Sequence, residues 1–413
     1  MTLLYNFVVL LMRIGIQIAS PFSSTAKAFV SGRKKVFEAL EQKFQNKPQH
    51  VVWVHCASLG EFEQGRPIIE TLKKEFPDTF ILLTFFSPSG YEIRKNYSYA
   101  DHVCYLPWDT HQHAQRFIEI TKPKLAIFVK YEFWYHYSLA LKNQNIPILS
   151  ISSIFRNNQL FFKSYGAFYR NILKNFNYFF VQNDASLQLL RSINLTNSVL
   201  AGDTRFDRVN QIVKQGEEII IAKNFKANQR VLVVGSCWKE DLDVLYPLIN
   251  ENKLKFILAP HELSESFLSE IEKSLEVSSV RYSQAEGKNL QDFQVLIIDN
   301  IGMLSRLYRY GEFAFIGGAF GKGLHNILEA ACYGVPIFFG DKNYEKFQEA
   351  TDLINRGGAF EVRDFSDLKL KYEMLNTPES FLLACEVTRH YVEANLGATE
   401  KIMTYIRKLL KTS

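Results

Sequence analysis

Residues 51–61 read VVWVHCASLGE, and the fold can be worked out from this stretch. Six residues with no acid and no Lys or Arg run into Ala-Ser-Leu-Gly-Glu, and an amphipathic segment follows through residue 75. An apolar run of this length, closed by small residues, predicts a strand buried on both faces and then a helix. The pattern recurs in FILLTFF (80–86), HVCYLP (102–107), LAIFVK (125–130), PILSIS (147–152) and YFFVQ (178–182), with amphipathic stretches such as 185–192 between them. A second series begins with RVLVVGS (230–236) and continues through KFILAP (255–260), VLIID (295–299), FAFIGG (313–318) and PIFFG (336–340). Alternation of this kind predicts an α/β chain of two doubly wound, Rossmann-like domains in series, with ligands in a cleft at strand carboxyl ends. The expected limits are 26–207 for the first domain and 229–395 for the second. A polar connector at 208–228 and a basic terminal helix at 396–413 complete the division.

The composition is that of an ordinary folded protein. Of 413 residues, 47% are apolar and 22% charged, which excludes a disordered, collagen-like or coiled-coil chain. A net charge of +5 is too small to argue for nucleic acid, and no nucleic-acid partner is expected. The five cysteines, Cys56, Cys104, Cys237, Cys332 and Cys385, form no CxxC pair. A disulfide framework and a zinc ribbon are both disfavoured, and the thiols are expected as small core residues.

Residues 1–25 stand apart. TLLYNFVVLLMRIGIQIASPF (2–22) is long enough to span a bilayer and has no A-x-A cleavage signal after it. Arg13 lies in its middle, where insertion costs roughly 2.5–3.5 kcal/mol. On a helix, Asn6, Arg13, Gln17 and Ser20 fall on one stripe. A helix lying in the membrane interface, or docked on the body by that stripe, is favoured over a buried helix of a soluble protein. Lys27, Arg33, Lys34 and Lys35 follow, and cations in this position favour an anionic, cytoplasmic leaflet.

Four segments carry candidate chemistry. Glu61 is placed in the first turn of the helix after residue 56. It reads either as a general base, with Gly60 allowing close approach of substrate, or as half of a Ser58/Glu61 capping box. Lys130-Tyr131-Glu132-Phe133-Trp134 follows the fourth strand, where Glu132 can orient a substrate hydroxyl or form a solvated pair with Lys130. Gly202-Asp203-Thr204-Arg205-Phe206-Asp207 offers a cation for a leaving phosphate, or a loop in which Asp207 caps the following helix. Gly317 to Glu329 (GGAFGKGLHNILE) is glycine-rich and helix-preceding, as an anion site requires. It lacks both GxGxxG and GxxxxGK[ST], which disfavours dinucleotide and P-loop enzymes. Asn326 and Glu329 are expected on one helical face, with Glu329 positioned for a ribose diol, or as a capping pair. His111 and His113 read as a solvated helix start. Asp241-Leu242-Asp243 lacks partner ligands for a metal.

The order of these motifs resembles the Kdo transferases of lipopolysaccharide synthesis. These GT-B glycosyltransferases move 3-deoxy-D-manno-octulosonic acid (Kdo) from CMP-Kdo to a lipid A precursor. The resemblance runs from the N-terminal helix through Trp-x-His-x-x-Ser-x-Gly-Glu (53–61), Lys-x-Glu-x-Trp (130–134) and Gly-x-x-(Lys/Arg)-Phe-Asp (202–207) to His-Asn-x-x-Glu (325–329). It implies Glu61 as catalytic base, with Glu132 and Arg205 stabilising the transition state. It implies a CMP site at Pro260 and His261, at Ile301, Gly302 and Met303, and at Asn326, Ile327, Leu328 and Glu329. Ser58, Gly60, Lys130 and Gly318 would line the substrate cleft. The implied reaction is inverting and needs neither metal nor other cofactor. Its partners would be the CMP-Kdo donor, the lipid A precursor and an anionic membrane surface, at the cytoplasmic face of the inner membrane. Pro260-His261 stands where the family has Pro-Arg, Gly235-Ser236-Cys237-Trp238 where it has Gly-Ser-Thr-His, Arg205 where it has Lys, and Tyr135 where it has proline. Two other readings stay open: a GT-B enzyme using a UDP-sugar and a lipid-linked acceptor, and a membrane-bound scaffold without catalysis.

Overall fold

The structure, a computed structural model, describes residues 1–251 and 253–411. The chain divides into two compact units: residues 1–208 with the chain from Leu396 onward, and Val209–Asn395. Each is built on a seven-stranded sheet in which every pairing is parallel.

The first sheet consists of β1 (Val51–Cys56), β2 (Phe80–Phe85), β3 (His102–Tyr105), β4 (Leu125–Val129), β5 (Ile148–Ser153), β6 (Tyr178–Val181) and β7 (Ser198–Leu200). Its spatial order is β3-β2-β1-β4-β5-β6-β7. All six residues of β1 are buried, which is why its sequence does not alternate. Val52, Val54 and Cys56 pack on one face, with Phe62, Ile68 and Leu72 of helix Leu59–Glu75. Val51 and Trp53 pack on the other, with Phe117 and Tyr137.

The second sheet consists of β8 (Val231–Cys237), β9 (Lys255–Pro260), β10 (Ser279–Arg281), β11 (Val295–Ile297), β12 (Phe313–Ile316), β13 (Ile337–Gly340) and β14 (Ala359–Val362). Its order is β10-β11-β9-β8-β12-β13-β14. In each sheet the winding direction reverses once, between β1 and β4 and between β8 and β12. Ligands of open parallel sheets bind at the carboxyl side of such a reversal.

The structure adds detail to the sequence reading at three points. The division between units falls inside helix Thr204–Gln215 rather than in a polar linker, and 208–228 also holds helix Ile220–Lys226. The terminal segment forms helix Ala398–Lys411 and is integral to the first unit. Its Ile402, Met403 and Ile406 are fully buried beside β1 and helix Leu59–Glu75, and Arg407 pairs with Glu75 at 2.7 Å. Asp207 caps this last helix and not its own: its carboxylate accepts the backbone N–H of Gly397 (2.7 Å) and of Thr399 (2.6 Å).

The first helix, Thr2–Ala19, docks along Tyr5, Val9, Met12 and Ile16 against Phe29, Phe86 and Trp108. The expected polar stripe is therefore not the docking face. Arg13 and Gln17 are exposed, and only Asn6 of that stripe bonds the body, to His136 Nε2 at 2.6 Å. An apolar face of Leu3, Leu4, Phe7, Leu11 and Ile18 points away from the protein. Arg33 is likewise no surface cation. Its guanidinium lies 3.8 Å from the Phe29 ring centroid and donates to the carbonyls of Leu106 (2.9 Å), Phe29 (3.0 Å) and Phe86 (2.5 Å).

Candidate active site

The carboxyl ends of β1 and β4, on either side of the reversal in the first sheet, bring together Glu61 and the Lys130–Trp134 loop. Ser58 is extended and opens helix Leu59–Glu75, which places Glu61 in its first turn. The expected capping box does not form. The Ser58 side chain accepts no backbone N–H, and its hydroxyl instead donates to the Glu61 carboxylate. Glu61 Oε1 also lies 4.0 Å from Lys130 Nζ, with 16% of the Glu61 side chain exposed. Gly60 sits open beside it, with only Ser58 Oγ within 4 Å of where a Cβ would project.

Lys130 has φ +68°, the left-handed region that a lysine rarely adopts. Ser152 (+48°) at the end of β5 and Ser236 (+53°) at the end of β8 share this strain. Beyond Lys130, Glu132 does not form the solvated pair with it. Glu132 Oε2 accepts from Trp134 Nε1 at 2.7 Å and lies 3.3 Å from His55 Nε2. Cys56 is fully buried, and burial and the Glu61 and Glu132 carboxylates push its thiol pKa well up.

Arg205 is brought near the same helix by a chain of contacts. Its guanidinium holds Asp203 Oδ2 at 2.9 and 2.8 Å, Gln64 donates to that oxygen at 3.1 Å, and Thr204 Oγ1 donates to the Gln64 carbonyl. Gln64 is one turn beyond Glu61. Burial alone would raise the Asp203 pKa, but Arg205 beside it and the hydrogen bonds hold it below the usual carboxylate range.

The second unit gathers the other expected residues at strand carboxyl ends. Pro260 closes β9, and the His261 N–H donates to the Cys237 carbonyl at 2.9 Å. The His261 ring is stacked between Trp238 (4.3 Å) and His325 (4.6 Å), and Trp238 Nε1 donates to His325 Nε2 at 3.2 Å. Burial and the neighbouring His261 pull the His325 pKa down to about 4, and burial and Lys322 lower that of His261. Both rings are neutral at pH 7. Lys322 Nζ lies 3.8 Å from the Trp238 ring centroid, so a cation does sit at this site although His261 supplies none.

The glycine-rich stretch does not lead into a long helix. The next helix is the four-residue Leu328–Ala331, and Asn326 precedes it. Asn326 accepts the Leu328 N–H at 3.2 Å and donates to Glu329 at 3.0 Å, so the pair is a turn and not one helical face. The side chains of Ile327 and Leu328 are buried and can offer a ligand only backbone. Ile301 is 91% exposed, beside Gly302 at φ +98° and partly exposed Met303. Gly318 is buried, with its N–H taken by Asp241 at 2.9 Å. Asp241 Oδ2, which also accepts the Trp238 N–H at 2.8 Å, thus braces this loop.

Sequence reasoning assigned no role to His55, Thr84, Trp238, His325 or Lys322. The signal for His55 was present, because Trp53 and His55 alternate onto one face of β1. Thr84 is the register partner of His55 on β2, which only the sheet order reveals.

Residues 33–208 match the family model described as 3-deoxy-D-manno-octulosonic-acid transferase (kdotransferase). The chain is 28% identical over 380 residues to the 3-deoxy-D-manno-octulosonic acid transferase of Rickettsia felis, covering 87% of this chain and 79% of that one. It is 28% identical over 385 residues to the transferase of the same name from Aquifex aeolicus, covering 90% and 99%. Among solved structures, a UDP-GlcNAc 2-epimerase from Neisseria meningitidis aligns with a TM-score of 0.61 at 16% identity, covering 87% of this chain and all of that one. That likeness concerns the fold, two parallel-sheet units of GT-B type. Residues 33–208 thus match a Kdo transferase domain, and over most of its length the chain is similar to curated 3-deoxy-D-manno-octulosonic acid transferases.

Proposed function

We propose that the protein transfers Kdo from CMP-Kdo to a lipid A precursor of the lipid IVA type by a single, metal-independent displacement with inversion. Glu61 is the general base. The observation that carries this reading is the Glu61 carboxylate at the β1/β4 reversal, held by the Ser58 hydroxyl, with Lys130 at 4.0 Å and Glu132 on the neighbouring strand end. The acceptor hydroxyl oxygen attacks the anomeric carbon of Kdo, and its proton passes to Glu61. The anomeric carbon–oxygen bond to CMP breaks, and CMP leaves as a phosphate monoester. A positioned base contributes about 10²–10⁴-fold. Glu132 and Arg205 stabilise charge that develops in the transition state. In the second unit Pro260, His261, Ile301 to Met303 and Asn326 to Glu329 hold the nucleotide, with Gly318 shaping the loop.

The acceptor is an amphiphile, which supports a membrane role for the first helix. Its outward apolar face suits burial in the acyl boundary of an anionic leaflet, and exposed Lys34 and Lys35 follow it in the sequence. The cytoplasmic face of the inner membrane is the setting this reading requires.

The test is to incubate the purified protein with CMP-Kdo, generated in situ, and a tetraacylated lipid A precursor, and then weigh the lipid by mass spectrometry. A gain of one or more Kdo units is expected. An unchanged lipid, with folded protein and intact donor, overturns the proposed acceptor.

A further inference from the structure

Behind Glu132 lies a buried polar relay that the reaction as described does not use. Trp53, His55 and Thr84 are all fully buried. Trp53 Nε1 donates to Thr84 Oγ1 at 2.8 Å, and Thr84 Oγ1 lies 2.8 Å from His55 Nδ1. His55 Nε2 lies 3.3 Å from Glu132 Oε2, which also receives Trp134 Nε1 at 2.7 Å.

The direction of the relay follows from its donors. An indole nitrogen only donates, so Thr84 accepts from Trp53. Its hydroxyl can donate to His55 Nδ1 or accept from it through a second lone pair. The Glu132 carboxylate selects between the two: a proton on His55 Nε2 donates to Oε2 at 3.3 Å, while Trp134 Nε1 points to Nε2 at 3.3 Å only as the longer branch of its 2.7 Å bond to Oε2. The opposite tautomer would set a nitrogen lone pair against a carboxylate.

We propose that His55, oriented by Thr84, is a positioning residue that together with Trp134 fixes the Glu132 carboxylate for Kdo transfer. The two donors occupy Oε2 and leave Oε1 for substrate. A carboxylate clamped in this way needs no reorganisation as charge develops, whereas a free one rotates among rotamers. Placing a polar relay in a buried strand costs desolvation unless every member is satisfied, and here each is. This inference rests on the proposed role of Glu132.

The experiment measures kcat and KM of the full-length protein for CMP-Kdo with a tetraacylated lipid A precursor. The variants are Glu132→Gln, Thr84→Val, Thr84→Ser, His55→Leu, His55→Gln and the double variant His55→Leu/Glu132→Gln. Groups that orient a functional residue from behind are worth about 10- to 100-fold at metal sites, and the same range is expected here. Thr84→Val and His55→Leu are expected to lose that much in kcat, with KM within about twofold. Thr84→Ser, which keeps the hydroxyl, and His55→Gln, which keeps an amide donor toward Glu132, restore most of the loss. The double variant is expected to be no slower than Glu132→Gln alone, because both changes remove one function. If His55→Leu fails to give a cooperative melt, Thr84→Val against Thr84→Ser decides the matter. Near-wild-type kcat in Thr84→Val and His55→Leu, beside an impaired Glu132→Gln, overturns the positioning role. Multiplicative losses in the double variant overturn it as well. A Glu132→Gln enzyme at the wild-type rate overturns the underlying role of Glu132 itself.

Discussion

Glu61→Gln separates a catalytic carboxylate from a structural one, because the two roles predict opposite balances of activity and stability. Gln keeps the length of the side chain, and its amide oxygen still accepts the Ser58 hydroxyl. What is lost is the charge facing Lys130 at 4.0 Å, in a pair whose side chains are 16% and 27% exposed. A partly solvated pair at that distance is worth about 0–1 kcal/mol. In a unit of this size, 1 kcal/mol moves the melting temperature by about 2–4 °C. Loss of a general base costs about 10²–10⁴-fold in rate. At about 1.36 kcal/mol per decade that is about 2.7–5.4 kcal/mol of barrier. The expected variant melts within a few degrees of the parent and transfers Kdo at about a hundredth of its rate or less. The assay pairs a thermal melt with single-turnover transfer to a tetraacylated acceptor, read by mass spectrometry. A Glu61→Gln protein that keeps more than about a tenth of the rate, or that melts far lower, refutes the assignment of the base.

Three further outcomes are expected. Asp109 is fully buried, and burial raises its pKa to about 6 although Tyr5 and the N–H groups of His136 and Tyr137 bond its carboxylate. A carboxyl raised in the folded state binds more protons there than when unfolded, so it contributes stability below about pH 3.8 that is lost as pH rises through about 6. Urea midpoints between pH 4 and 6.5 should therefore fall less steeply in Asp109→Asn than in the parent, and identical slopes would contradict this. Gly318→Ala places a Cβ 2.5 Å from the Gly323 carbonyl oxygen at φ +95°, whereas Gly302→Ala at φ +98° meets nothing within 4 Å. Both carry backbone strain of about 1–2 kcal/mol, so Gly318→Ala should melt well below Gly302→Ala, and equal melts would exclude the steric clash. Ile406→Ala removes a fully buried side chain from the last helix and should cost about 2–5 kcal/mol by chemical denaturation. A loss under 1 kcal/mol would mean that the helix is dispensable to the first unit.

The central strands were legible because burial on both faces leaves an unbroken apolar run, as in Val51–Cys56. The three strands that the sequence did not disclose, Ser198–Leu200, Ser279–Arg281 and Ala359–Val362, all lie at sheet edges. An edge strand has one neighbour and three or four residues, so it needs no apolar run. Glu61 and Glu132 were legible as carboxylates at strand ends. Their surroundings were not, because Thr84 reaches His55 only through strand pairing. The helix expected from Asn326 onward failed for a local reason: the Asn326 side chain takes the Leu328 N–H and closes a turn first. The charge of Arg33 was visible, but not the three carbonyls that draw it inward.

The place of helix Ala398–Lys411 in the first unit has a consequence for biosynthesis. The ribosome delivers this helix only after the whole of Val209–Asn395 has been made. At about 5–20 residues per second, roughly 10–40 s separate residue 208 from residue 411. Through that interval the pocket for Ile402, Met403 and Ile406, on the face of Val52, Val54 and Cys56, has no cover from its own helix. The nascent first unit must wait, with an apolar patch open, for a segment that follows an entire second unit. A chain arrested at Asn395 keeps that patch exposed, and becomes a client for chaperones or proteases rather than a half-built enzyme.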